Sequence, residues 1–167
     1  MRHPRRPLNG INRTTIDSGA GTVENVVIRK MEISDTEDIL RIFVTITKRS
    51  DVVDFKQIMD EQVLREDNAC FVAERRGRLV GYIISYLLTG SFGIQQSAWI
   101  PMFGVEPEFM GHGIGRQLAQ AVFNFYKSKK IENVYTSVRW YDTDVLSFFR
   151  TLGFDRSEFI ALKKHLD

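Results

Sequence analysis

The chain is poor in the groups that build disulfide frameworks and metal sites. It has one cysteine in 167 residues, Cys70, so no disulfide can form within it, and a reducing cytoplasm is the expected compartment. Three histidines, His3, His112 and His165, lie far apart, and with a lone cysteine they offer no recognisable metal-ligand spacing. No apolar run approaches the roughly 18 residues of a membrane span, and no signal-peptide pattern opens the chain. No G-x-x-x-x-G-K-[ST] run occurs, which excludes a P-loop. Acid is missing from the first sixteen residues, which carry Arg2, Arg5, Arg6 and Arg13. Without those four arginines the body holds 19 basic against 21 acidic groups. A slightly acidic body is not a nucleic-acid-binding surface, so neither nucleic acid nor membrane is an expected partner.

What is present reads as one domain with an appendage. Residues 1–24 have no hydrophobic period and are expected to be a flexible basic leader. Residues 25–167 alternate strand and helix patterns. "NVVIRKMEI" reads as a first strand, followed by a helix in which Ser34 and Glu37 have capping-box spacing and Ile39, Phe43 and Ile46 share a face. A weaker helix is expected over Phe55–Arg65, with Ile58, Val63 and Leu64 as its apolar residues. "ACFVAERRGRLVGYIISYLL" reads as a hairpin turning at Gly77. "SAWIPMFGV" is apolar on both faces, as in a central strand. Pro101 and Gly104 interrupt it, so it is expected not to be paired along its whole length. A helix with Ile114, Leu118, Val122 and Phe125 on one face follows, then "NVYTSV" as a strand. A short helix through Val145, Phe149 and Leu152 stops at Gly153, and "SEFIALKKHL" reads as a last strand. Cys70, in "ACFVA", is expected to be core and not a nucleophile.

Glycine, scarce in such elements, recurs at Gly111, Gly113 and Gly115, just before the third helix. A helix N-terminus carries unpaired N–H groups and the positive end of the macrodipole. Alternate glycines remove Cβ atoms that would hold an anion away from those donors. Arg116, in the first helical turn, would add a charge-assisted contact. The spacing fits a phosphate, better a pyrophosphate. It is not the dinucleotide pattern G-x-G-x-x-G, because position 116 is arginine and the turn falls two-thirds along the chain.

Val105-x-Pro107-x-x-Met110-Gly111-x-Gly113-Ile114-Gly115 resembles the acetyl-CoA signature of the GNAT superfamily of N-acyltransferases, V-x-P-x-x-[QR]-G-x-G-[IV]-G. "IRKMEISDTEDILRIF", "FVAERRGRLVGYI" and "FFRTLGF" resemble that family's first strand and helix, its hairpin and its closing helix, in the family's order. The resemblance implies a mixed α/β (α+β) single-domain fold, with a mostly antiparallel sheet splayed between strands 4 and 5 and helices on both faces. It implies acetyl-CoA as co-substrate. Backbone at Phe103, Gly104 and Val105 would hold the pantetheine, and Met110, Gly111, His112, Gly113, Ile114, Gly115 and Arg116 would cradle the pyrophosphate. The acceptor would be a primary amine, on a small molecule or a peptide N-terminus, and a homodimer is compatible with the resemblance.

The chain departs from the pattern at two places. Met110 stands where the family has Gln or Arg. Aligning Leu152-Gly153-Phe154 on the family's closing helix puts Phe149 at the usual proton-donating tyrosine and Asp142 at an asparagine. Phe149 then reads as packing against the coenzyme arm, and Tyr141 is the candidate that would protonate the departing thiolate instead. Glu106 and Glu108 read as solvated loop, so no general base is assigned. A non-catalytic acyl-CoA-binding module is the alternative class.

Overall fold

A computed structural model describes residues 25–49, 54–63, 65–90, 93 and 95–166. The leader expected over residues 1–24 lies outside them. Five strands form one sheet in the order β1-β2-β3-β4-β5: Val26–Lys30, Phe71–Arg75, Arg78–Thr89, Gln96–Val105 and Val134–Thr136. The first four pair antiparallel, and β5 runs parallel to β4. The β2–β3 turn is tight because Arg76 and Gly77 both take positive φ, 51° and 77°, the geometry that suits two-residue hairpins.

Helices cover both faces. Helices α1 (Thr36–Thr47) and α2 (Phe55–Ile58) bury Ile39, Ile42 and Phe55 against Val72, Tyr82 and Ile84. On the other face α3 (Ile114–Ser128) buries Ile114, Leu118, Val122 and Tyr126 against Val80, Ile83, Ala98 and Ile100. Helix α4 (Thr143–Thr151) packs beside α3 through Phe149, whose ring meets Phe154, which in turn meets Phe123. No helix among the described residues is long and apolar enough to cross a membrane.

Three local expectations are corrected. The capping box is not Ser34/Glu37. Asp35, gripped through both oxygens by Arg29 of β1, accepts from the Glu32 N–H at 2.8 Å, so the chain turns two residues earlier, in a 3₁₀ turn at Ile33–Asp35. The helix expected over Phe55–Arg65 keeps only one α-turn before widening into a π-turn at Met59–Val63. That widening buries Met59 completely and leaves Ile58 and Val63 half-buried; Leu64 lies outside the described residues. "SEFIALKKHL" forms no strand among its described residues. Phe159 packs its ring edge-on against Tyr135 of β5, while Ile160 and Leu162 stand 72% and 88% exposed.

Cys70 is buried, its thiol directed at the Ser85 carbonyl at 3.4 Å. Burial pushes the thiol up to about 11. Its proton is held more tightly in the folded state, so it stabilises the fold below its unfolded pKa and that contribution is lost as pH rises from about 9 through 11. Iodoacetamide at pH 8 is therefore expected to leave the native protein unlabelled and to modify it in urea; labelling of the native protein at equal rate would contradict this burial.

Candidate active site

The site begins with one extra residue in β4. Tyr86 pairs with Trp99, but Ile84 pairs with Met102, so three steps of β4 oppose two steps of β3. Such a bulge falls at Ile100-Pro101, where a residue without an N–H removes nothing from the ladder. It also reverses the strand's alternation. Before it, Ala98 turns its N–H to β5, donating to Asn133 at 2.9 Å. After it, the Glu106 N–H points to β3, donating to Val80 at 2.8 Å. In an antiparallel ladder these directions alternate, so Gly104 and Met102 also face β3, and the polar groups of Phe103 and Val105 face the opposite edge.

That edge is open. β4 and β5 pair only over Ala98–Ile100 with Val134–Thr136, and the Thr136 hydroxyl caps the Ile100 carbonyl at 2.8 Å. Beyond it the strands part around a cleft of about 520 Å³. The interruption expected in "SAWIPMFGV" is thus present, and the splay falls between strands 4 and 5.

At one end of the cleft stands the glycine turn. Gly111 and Gly113 take φ of 80° and 78°, and a Cβ on either would meet nothing within 4 Å. Their backbone needs the left-handed region, and the space beside them is free. Gly113 is the N-cap of α3 and supplies no side-chain cap; the first turn contains no acid, and the first intrahelical bond is Gln117 N–H to the Gly113 carbonyl at 3.1 Å. The N–H groups of Ile114, Gly115 and Arg116 precede that bond and are the helix's unpaired donors.

Gly115 serves a different purpose from the one its spacing suggested. A Cβ there would lie 2.9 Å from the Phe103 ring and 3.0 Å from the Phe148 ring, which stack with centroids 4.9 Å apart. The missing side chain of the third glycine makes room for two phenylalanines. Gly115→Ala is expected to push this stack apart and cost about 1–3 kcal/mol, as overpacking does, measured by urea unfolding. An unchanged midpoint would mean the rings move freely.

The cleft gathers most of the residues singled out in the sequence. Phe103, Gly104 and Val105 form one wall; Met110, Gly111, Ile114 and Gly115 form the turn end; Phe149 lines the α4 side. His112, Gly113 and Arg116 lie on the turn but not in the lining. His112 is exposed, its Nδ1 3.0 Å from the Met110 carbonyl, and Arg116 donates a long bond of 3.4 Å to Thr151 at the end of α4. Tyr141 is not brought there: it lies on the β5–α4 turn, 76% exposed and outside the lining.

Phe149 is held in place by the end of α4. The Phe154 N–H donates to the Phe149 carbonyl at 3.1 Å, and Gly153, at φ 89°, donates to Arg150 at 3.0 Å. This is a Schellman motif with its expected ring contact, Phe149 to Phe154 at 5.1 Å.

Two features escaped the sequence reading. Asp142 and Asp144, at the start of α4, line a cleft that otherwise has no charged residue among those described. The D-x-D spacing at a helix start was the available signal, but it also fits simple helix-dipole complementarity. The other is Glu106, expected in a solvated loop and found only 3% exposed. Its carboxylate accepts from Arg41 of α1 and, at 2.9 Å and 3.0 Å, from Arg78 of β3. Arg41 also donates to the Leu79 carbonyl at 2.9 Å. A carboxylate clamped by two guanidiniums is an anchor between α1 and the sheet, not a free base. Glu108 is exposed, as expected.

Residues 36–154 match the acetyltransferase (GNAT) family. The chain belongs to that family. Mycothiol acetyltransferase from Amycolatopsis mediterranei (strain U-32) is 27% identical over 96 residues, covering 56% of this chain and 32% of that protein. The chain thus spans about a third of that relative's length. Among solved structures, an aminoglycoside acetyltransferase from an uncultured soil metagenomic sample, in complex with trehalose, superposes with a TM-score of 0.71 at 20% identity, over 85% of this chain and 97% of that one. AAC(6′)-Iy in complex with the bisubstrate analogue CoA-S-monomethyl-acetylneamine gives 0.73 at 16% identity, over 86% and 99%. These two likenesses confirm the GNAT fold.

Proposed function

We propose that the chain is an N-acetyltransferase that moves an acetyl group from acetyl-CoA directly to a primary amine. One observation carries this reading: a bare helix N-terminus and an unpaired stretch of β4 edge open onto the same cleft, in a chain of the GNAT family. The donor set fits the coenzyme. The N–H groups around Gly113 suit its pyrophosphate, and the β4 edge groups of Phe103 and Val105 suit its amide-bearing arm, as an added strand would. Bound there, acetyl-CoA supplies an acetyl group activated as a thioester. Met110 contributes no polar contact, which leaves the anion to main-chain donors.

The protein's own groups then have distinct tasks. Asp142 and Asp144 place negative charge in an otherwise uncharged cleft and favour a cationic acceptor at its α4 side. The rings of Phe103, Phe148 and Phe149 exclude water from that wall and strengthen the remaining electrostatic contacts. The relatives include a mycothiol acetyltransferase and aminoglycoside acetyltransferases, so small-molecule amines come first as acceptors, with peptide N-termini second.

The test is amine-dependent release of free thiol from acetyl-CoA across a panel of small amines, aminoglycosides and N-terminal peptides. Turnover with at least one of them is expected. Coenzyme binding without turnover on any acceptor would favour the non-catalytic acyl-CoA-binding module, a reading supported by the absence of a phenol at Phe149. Because Tyr141 is 76% exposed and does not line the cleft, Tyr141→Phe is expected to leave kcat within about twofold. A tenfold fall would restore it as the acid.

A further inference from the structure

The cleft is lined from both faces of the sheet, by Ile46 of α1 on one side and by Ile114 and Phe148 on the other. The bulge in β4 puts Phe103 and Val105 on the α3 face, where both pack with the core beneath that helix. Met102 falls on the α1 face and packs with the core there. A Cβ on Gly104 would meet Ile46 and Tyr82 on that same face, at 2.8 Å and 2.9 Å. In β5, Val134 packs with the α3-side core. Strand alternation therefore places Thr136 on that side and carries Tyr135 and Ser137 to the α1 side.

Few polar side chains line this cleft. Asp142 and Asp144 come from the start of α4, Thr136 and Ser137 from β5 and its continuation. The Thr136 hydroxyl is already given to the Ile100 carbonyl, at 2.8 Å. Ser137 is exposed, and its hydroxyl has no hydrogen-bond partner among the described residues. It is the first residue past the last rung of the β4–β5 ladder, Ile100 with Thr136, and so stands at the closed end of the cleft. A coenzyme held by its pyrophosphate at the glycine turn, with its arm along Val105 and Phe103, delivers its thioester towards that end. The turn and the rings of Phe148 and Phe149 stand on the α3 side. The α1 side, bounded by Ile46, Met102 and Ser137, is left for the acceptor.

We propose that the Ser137 hydroxyl receives the attacking nitrogen of the acceptor and aims its lone pair at the acyl carbon. This deepens the acetyl-transfer reading above and rests on it. The nitrogen that attacks must be uncharged, since an ammonium has no lone pair to offer. A carboxylate favours the ammonium form, whereas a neutral hydroxyl accepts an N–H of the free amine. Asp142 and Asp144 therefore suit charge elsewhere on the acceptor, and Ser137 the nitrogen that reacts. In the step, the nitrogen–carbon bond forms as the carbon–sulfur bond breaks, and the sulfur keeps that bonding pair. The nitrogen sheds its surplus proton to solvent and the thiolate takes one from solvent. The serine ends as it began.

Ser137→Ala removes one hydroxyl at an exposed position and little else. kcat/KM for the amine is expected to fall about tenfold, the worth of one hydrogen bond in the transition state. The calorimetric Kd for acetyl-CoA and the melting temperature of the unliganded protein should match the wild type. The loss should be of equal size across the neutral pH range, because a serine hydroxyl does not titrate there. Ser137→Thr, which keeps a hydroxyl, should recover most of it. If the wild type turns over and Ser137→Ala keeps its full kcat/KM, the role is overturned and the acetyl-transfer reading stands. A weakened Kd for acetyl-CoA would make the hydroxyl a coenzyme contact, and a lowered melting temperature would make it structural; either overturns the proposal. Absence of turnover by the wild type with every amine would remove the acetyl-transfer reading and this role with it.

Discussion

Gly113→Glu is expected to abolish the thermal stabilisation that acetyl-CoA gives the wild-type protein. Position 113 is where two requirements meet. Its φ of 78° places it in the left-handed region, where an L-residue costs about 1–2 kcal/mol. It is also the N-cap whose following N–H groups are unpaired. A Cβ there meets no protein atom within 4 Å, so steric conflict within the fold is not the cause. The damage comes from a carboxylate set where an anion is to bind. A ligand at a hundred times its Kd adds about 2.7 kcal/mol of stability. In a domain of this size each kcal/mol moves the melting temperature by about 2–4 °C, so the wild-type shift should be on the order of 5–10 °C. Gly113→Ala should melt lower than wild type yet keep most of that shift, and Gly113→Glu should keep none. Scanning fluorimetry with and without acetyl-CoA, backed by calorimetry, reads both. A full shift in the glutamate variant would remove the pyrophosphate from this turn.

The second large effect is expected at the clamp around Glu106, in the order of its variants. Arg41→Ala strands a buried carboxylate with Arg78 alone and frees the Leu79 carbonyl. Glu106→Gln leaves two guanidiniums whose side chains are 36% and 56% exposed and can rehydrate. Breaking a buried pair from one side costs about 3–5 kcal/mol; the arginines' exposure discounts this, to about 2–4 for Arg41→Ala and about 1–2 for Glu106→Gln. Urea denaturation with a common m-value would give the ranking. The reverse order would mean that the arginines, and not the carboxylate, are the groups in need of compensation. The Glu106 carbonyl also accepts from the Phe109 N–H at 2.9 Å. Loosening the clamp should therefore weaken acetyl-CoA binding as well as the fold.

Much of this architecture was legible in the sequence because its signals were local. Arg76-Gly77 announces a two-residue hairpin, Gly153 a helix end, and Pro101 with Gly104 a broken strand. The errors came where a contact outside the local pattern decides the outcome. Asp35 starts its turn early because Arg29, six residues upstream in β1, holds it. Glu106 looked solvated because Arg41 and Arg78, 65 and 28 residues away in sequence, are invisible to local patterning. The same limit hid Gly115, whose need for a missing side chain comes from Phe103 and Phe148. In the tail, the alternation of Ile160 and Leu162 describes a strand that could pair, but a pattern cannot supply the neighbour.

The short seam between β4 and β5 also sets how the native protein breathes. β3 and β4 are matched at eight residue pairs, β4 and β5 at three. Hydrogen exchange should therefore divide the molecule: amides of β2 and β3 should exchange through global unfolding, and those from Val134 to Phe154 through a smaller, cheaper opening. A coenzyme bonded to β4 and packed on α4 would span the seam and slow exchange in the outer segment well before it altered the inner strands. Part of its interaction energy would be consumed in ordering that segment. The affinity measured for the coenzyme would then report the stiffness of this seam as well as the quality of the contacts.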